Sequence, residues 1–347
     1  MVTTRTAHRD EPHFLFADDG VPLTLVRVRG GAASHKGPVL LVHGLANRSE
    51  SFRPPVSRSI VDVLIDDGWD VWMLNWRGSI DLDPLPWTLD DVAVNDHPAA
   101  VRYITEVTGS ETVKVVAHCV GAMTMSMSVV GGLLPEVDVL IANGVSLHPV
   151  LPRGGRVKLH TIRALMQHRQ PFVDVAWGDG PEHGVARLTR TSVRMWHIEC
   201  RNPACNMASF ALGSGHPALF RHENLDDATH DWLGGEFGKV PMSFYTQMAA
   251  SDRRKEVVAL PGQGREGFAP RWAGAAPRSD TRFALLTGRH NRAFLPESQR
   301  ATFAFLERHQ PGRHSLRVLP RYGHSDVFFG SRAHNEVFPL IVAELNR

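Results

Sequence analysis

The chain has 347 residues, of which 43% are hydrophobic and 21% charged, with 38 Lys and Arg against 36 Asp and Glu. The apolar fraction is enough to bury a sizeable core and excludes a disordered chain, and no period supports a collagen-like or coiled-coil architecture. A formal charge of +2 argues against a nucleic-acid-binding protein, which carries a basic excess or stripe.

Taken in chain order, Phe14–Phe16 and Leu23–Val28 flank Asp18-Asp19-Gly20, the signature of a hairpin. Val39–Val42 is a short continuous apolar run, as expected of a strand buried on both faces. A helix over Pro55–Asp66 places Val56, Ile60, Val63 and Leu64 at helical spacing, with Gly68 beyond its end. Then follow a strand (Val71–Leu74), a helix disturbed by Pro98 (Leu89–Val107), a strand (Val113–Ala117), a helix (Gly121–Gly132) and a strand (Val137–Ala142). The rhythm stops near residue 146. Residues 147–275 are rich in His, Arg, Trp and Met, show no clear strand run, and end in a Gly/Pro/Ala-rich stretch. It resumes with Arg282–Thr287 (strand), Pro296–His309 (helix), Leu316–Leu319 (strand) and Ala333–Leu345 (helix). Such alternation predicts an α/β domain with a mostly parallel sheet and helices on both faces. Its core is expected at 1–146 and 280–347, interrupted by a largely helical cap over 147–279.

The segment around Ala117-x-Cys119-x-Gly121 reads strand, sharp turn, helix, which is the pattern of a nucleophile elbow with cysteine as the nucleophile. Small residues flank it because the nucleophile sits in a strained turn. The helix behind it aims its positive end at the sulfur. His43-Gly44-Leu45 follows the Val39–Val42 strand, where a second oxyanion donor is expected, so the Leu45 and Val120 amides are the candidate oxyanion hole. Tyr322-Gly323-His324 follows the last strand, and His324 is the expected general base. After the penultimate strand, Asn291 stands where an aspartate is usual. With serine as nucleophile that change is costly, because the base must stabilise imidazolium as it forms. A Cys–His pair can instead rest as thiolate and imidazolium, leaving an amide oxygen to orient a doubly protonated ring. The expected catalytic set is therefore Cys119, His324 and Asn291.

With these residues in place, the chain resembles the α/β-hydrolase superfamily over nearly its whole length. It is most similar to the hydrolase-type region found with, or fused to, GMC flavoproteins of the cholesterol-oxidase-like kind. The matching segments are Trp76–Leu82, Ala117–Gly121, Gly288–Pro296 and Tyr322–Gly330. The resemblance implies an α/β-hydrolase fold, a lipid- or sterol-like substrate portion, and a flavoprotein partner on a separate chain. The elbow also resembles the G-x-C-x-G box of polyhydroxyalkanoate synthases, acyltransferases with a Cys–His–Asp set; here position 291 departs from that set.

Other signals carry less. Gly262-Gln-Gly264-Arg-Glu-Gly267 spells a dinucleotide-binding pattern, but it runs into Phe-Ala-Pro270 with no helix behind it to hold a pyrophosphate. His197-x-x-Cys200-x4-Cys205 suggests zinc but lacks a fourth ligand at a suitable spacing, so no metal and no cofactor is expected and the thiols read as ordinary cap residues. Residues 139–173 hold no acid yet carry Arg153, Arg156, Lys158, Arg163 and Arg169, a solvated basic face or an attractant for an anionic substrate handle. The N-terminus lacks an apolar secretory core and the cysteines make no disulfide framework, which together point to the cytoplasm. The expected activity is a cysteine-dependent acyl hydrolase acting on an apolar ester or thioester. An acyltransferase using the same acyl-enzyme, or a non-catalytic binding module, is the alternative.

Overall fold

In the computed structural model of the chain, residues 8–176, 191, 193, 195, 200–260 and 271–347 are described. The strands are β1 (Arg9–Phe16), β2 (Pro22–Arg29), β3 (Pro38–Val42), β4 (Asp70–Asn75), β5 (Val113–His118) and β6 (Val137–Asn143). They are followed by the short β7 (Phe172–Asp174) and β8 (Lys239–Pro241), then β9 (Arg282–Gly288) and β10 (Ser315–Leu319). Eight of them form one sheet in the order β1-β2-β4-β3-β5-β6-β9-β10. The hairpin β1–β2 joins β4 antiparallel, and every pairing from β4 to β10 is parallel. Strands β3 and β4 are buried at every position, which is why they read as unbroken apolar runs.

Strand order reverses between β3 and β5. Their connections leave on opposite faces of the sheet, so a crevice opens outside the carboxyl ends of these two strands. The loops after β3, β5, β9 and β10 all reach this end, and they carry Leu45, Cys119, Asn291 and His324.

Helix α1 (Ile60–Asp66) begins later than its apolar spacing suggests, because Ser59 and Asp62 close a capping box that fixes its start. The helix expected over Leu89–Val107 forms as α2 (Leu89–Asp91), a π-helical turn (Val92–Asp96) and α3 (His97–Thr108). The wide turn lies just before Pro98, which lacks an N–H to continue the ladder. Helix α4 (Cys119–Val130) starts at the cysteine itself and is buried along nearly its whole length.

Between β6 and β9 lie α5 (Arg153–Met166), α6 (Pro203–Leu212), α7 (Asp227–Trp232) and α8 (Met242–Arg254). This segment also holds strands where none was expected: β7 and β8 pair antiparallel, with Val173 opposite Val240. Three residues each are too few to show an alternating pattern. Helix α9 (Glu297–His309) follows β9. The chain closes with α10 (Asp326–Phe329), α11 (Ala333–Glu336) and α12 (Phe338–Leu345), so the single helix expected over 333–345 is broken at Val337 ahead of Pro339. Among the described residues, no helix is long and apolar enough to cross a membrane.

Candidate active site

Cys119 follows β5 without a spacer and adopts φ 55°, a left-handed conformation that is unfavourable for a residue with a β-carbon. The buried strand before it and the buried helix after it hold it there. The turn needs Gly121: a Cβ at that position would come within 2.3 Å of the His43 carbonyl oxygen, so only glycine lets α4 sit against the end of β3. The backbone amides of Leu45 and Val120 are near enough to the Cys119 sulfur to favour its thiolate form. Burial outweighs them and pushes the thiol up to about 11.

His324 is buried in the loop after β10, and its backbone N–H donates to the Leu219 carbonyl at 3.0 Å. Its Nδ1 is buried and has no hydrogen-bond partner, and burial pushes the imidazole down to about 3. Cys119, His324, Leu45 and Val120 line one pocket. No hydrogen bond joins Cys119 to His324, and the surroundings of each favour its neutral form, a thiol and an imidazole, over the thiolate–imidazolium pair anticipated from the residue types. Both groups are desolvated, and desolvation penalises whichever form is charged.

Asn291 reaches the same region. A Cβ on Gly144 would lie 3.2 Å from His324 Nδ1 and 3.8 Å from Asn291 Nδ2, so both side chains approach the space that Gly144 leaves open. The carboxamide orientation is set by its own loop. Oδ1 accepts from the Ala293 and Phe294 amides at 3.1 and 3.0 Å, and Nδ2 donates to the Gly144 carbonyl and to Thr287 Oγ1, each at 3.3 Å. Two backbone donors demand an oxygen, so the amide nitrogen is left to the Gly144 carbonyl and Thr287, and no hydrogen bond joins Asn291 to His324. The expected bond from His324 Nδ1–H to the Asn291 oxygen is not among those Asn291 makes.

Residues 37–129 match the family model of the alpha/beta hydrolase fold. Over 186 residues, 46% of this chain and 46% of its relative, the sequence is 30% identical to the human lysosomal acid lipase/cholesteryl ester hydrolase. Over 99 residues, 28% of this chain and 20% of the other, it is 30% identical to the poly(3-hydroxyalkanoate) polymerase subunit PhaC of Haloferax mediterranei. The chain spans less than half the length of these curated relatives. Among solved structures it is similar to the Pyrococcus furiosus esterase Pf2001, with a TM-score of 0.54 at 12% identity, covering 98% of this chain and 93% of that one. The chain has the α/β-hydrolase fold.

On that fold, residues beyond the expected set surround the nucleophile. His118, next to Cys119, accepts at Nδ1 from Asn143 Nδ2 (2.9 Å), and its Nε2 lies 3.5 Å from Ser325 Oγ. Burial holds it well below the usual histidine range. His43 is buried at the end of β3, stacked on Trp76 at 5.2 Å, with Nδ1 bonded to the Gly44 carbonyl (2.8 Å), which fixes the loop that presents Leu45. Both neighbour expected site residues in the sequence, yet nothing local marks them among the 19 histidines, because their burial and partners come from the fold.

The pocket encloses about 100 Å³ and opens to solvent at its mouth. It is walled mainly by apolar side chains, among them Leu159, Ile162, Phe237, Phe244 and Met248 from the segment between β6 and β9. The acid-free basic stretch finds its acid on α8: Asp252, fully buried at its side chain, takes Arg156 (3.0 Å), His160 (3.2 Å) and Lys255 (2.8 Å). Lys158 enters the pocket wall, where its ammonium donates to the Phe210 and Gly213 carbonyls and burial lowers it to about 8. The glycine-rich 261–270 stretch and His197 lie outside the described residues. Cys200 and Cys205 are not part of the pocket lining.

Proposed function

We propose that the chain is an esterase-type acyl hydrolase that works through a cysteine acyl-enzyme. What supports the reading above all is the strained Cys119, with the Leu45 and Val120 amides converging on its sulfur and His324 in the same pocket. Cys119 Sγ attacks the carbonyl carbon of an ester as its proton passes to His324. The two amides receive the developing oxyanion, and collapse expels the alcohol, which takes the proton from His324. Water then enters, loses a proton to His324 and attacks the thioester carbonyl; the acid leaves as the C–S bond breaks, and His324 returns the proton to the Cys119 sulfur.

Because the resting pair is favoured in its neutral form, proton transfer accompanies sulfur attack instead of preceding it. Asn291 acts as a positioning residue that steadies the loop beside His324. The apolar wall suits a medium or large hydrocarbon portion of the substrate, in keeping with the lipase and esterase named above. Transfer of the acyl group to an acceptor other than water is a second reading, favoured by the similarity to the polymerase subunit and by the better leaving ability of a thiolate.

Intact-mass measurement after exposure to p-nitrophenyl esters of graded chain length tests the proposal. One acyl mass should appear on the parent and none on Cys119→Ala. Hydrolysis at equal rates by parent and Cys119→Ala would overturn it.

A further inference from the structure

Outside the pocket, the segment between β6 and β9 gathers four metal-ligating side chains that the sequence keeps apart. Cys200 lies just before α6, Cys205 in its first turn, His222 in the 3-10 turn His222–Asn224, and His230 in α7. One ligand atom from each lies within 4.8 Å of all the others. Cys205 Sγ is 3.3 Å from His222 Nε2, and the His222 and His230 rings stand perpendicular with centroids 5.2 Å apart. Cys205 is buried, and His230 Nε2 is buried with no hydrogen-bond partner.

We propose that Cys200, Cys205, His222 and His230 form a structural zinc site. Zinc–sulfur bonds of about 2.3 Å and zinc–nitrogen bonds of about 2.0 Å, arranged tetrahedrally, give ligand–ligand separations of about 3.3–3.8 Å. The observed cluster needs only a small contraction to reach them. Two thiolates and two neutral imidazoles leave the centre uncharged, and binding releases the two thiol protons. Four protein ligands close the coordination shell, so the metal's role is to hold structure.

Supporting bonds already orient the ligands. Asn206 donates to the Cys200 carbonyl (3.2 Å), and its Oδ1 accepts from the Cys200 thiol (3.3 Å), a bond given up when the metal takes the place of that proton. Asn202 caps α6 through the Cys205 amide (3.1 Å) and donates to the His230 carbonyl (2.5 Å). The chain enclosed by these ligands includes Leu219, whose carbonyl receives the backbone amides of His324 and Ser325 (3.0 and 3.1 Å), and Asn224, which bonds Asp326. The site therefore clamps the stretch that braces the His324 loop. The further ligands that the spacing around Cys200 and Cys205 does not supply come from His222 and His230, brought in by the fold.

The test uses full-length protein purified under reducing conditions without chelator. Elemental analysis should find one zinc per chain. Replacement by cobalt(II) should give the visible absorption bands of a tetrahedral site with thiolate ligands. Cys205 is buried, so the variants are made at the partly exposed Cys200 and His222. Cys200→Ser and His222→Ala should each bind zinc at least about tenfold more weakly, the lower bound set by changes to groups that merely orient ligands. Chelation should lower the Tm of the parent while leaving that of Cys200→Ser unchanged. Reduced parent protein that takes up neither zinc nor cobalt would overturn the proposal, as would undiminished binding by both variants.

Discussion

The imidazoles of His118 and His324 lie side by side, ring centroids 4.8 Å apart and tilted by 43°, on the pocket that holds Cys119. Two histidines thus border one nucleophile, and their hydrogen bonds tell them apart. His118 spends its Nδ1 lone pair on the Asn143 amide, so its proton sits on Nε2 beside Ser325. A ring in that tautomer has no free basic nitrogen. His324, with no side-chain partner at Nδ1, keeps the freedom to act as base.

His324→Ala is accordingly expected to lower kcat by about 10²–10⁴, the range of a lost general acid–base group, whereas His118→Ala should cost about tenfold or less. Ester hydrolysis kinetics on the two variants decide the assignment. A larger loss at His118 would reverse the roles.

Asn291→Asp replaces an amide nitrogen that donates to the Gly144 carbonyl and Thr287 with a carboxylate oxygen in the region of His324. The new charge favours imidazolium, so the His324 pKa should rise and the acid limb of kcat/KM should move toward neutral pH. A rate gain of up to about tenfold is expected from better stabilisation of the charged ring, set against about 1 kcal/mol of stability for the lost amide hydrogen bonds. Asn291→Ala should lose tenfold or more, on the order of general acid–base contributions. An unmoved pH profile in the aspartate variant would place position 291 out of contact with the ring.

For the parent, neutral forms on both partners predict a broad pH plateau. The base is competent while His324 stays unprotonated, which burial extends down to about 3, and the thiol keeps its proton up to about 11. The kcat/KM for a neutral ester should therefore show no step near the ordinary histidine pKa, provided that folding is intact. A limb of unit slope at that pH would mean that the ion pair forms after all.

Stability should fall on mild acidification. His43, His97 and His324 are pushed by burial to about 3, His148 to about 4, and His118 well below the usual range. The unfolded chain binds protons on these rings below about pH 6.5 while the folded chain does not, so each contributes stability that is present above that pH and is lost as pH falls. The slope approaches about 1.4 kcal/mol per pH unit for each ring. Asp96 and Asp326, raised by burial to about 6, oppose this, but they are outnumbered. Thermal melts between about pH 7.5 and 5 should show Tm falling with pH; a rising Tm would contradict the burial of these rings.

Residues close together in sequence made much of this legible. The alternation of apolar strands and helices, the small residues around Cys119, and the histidine after the last strand are each set by short-range needs: burial on both faces, a tight turn, a loop at a strand end. Other features depended on groups far apart in the chain. How the Asn291 carboxamide is oriented is decided by amides at 293 and 294 and by Thr287 and Gly144. Whether Cys119 and His324 carry charge is decided by desolvation, a property of everything packed around them. The gathering of Cys200, Cys205, His222 and His230 joins turns separated by more than a helix, at spacings that form no local pattern. Sequence fixes chemistry along the chain, while burial and long-range packing decide which of those groups meet and in what protonation state.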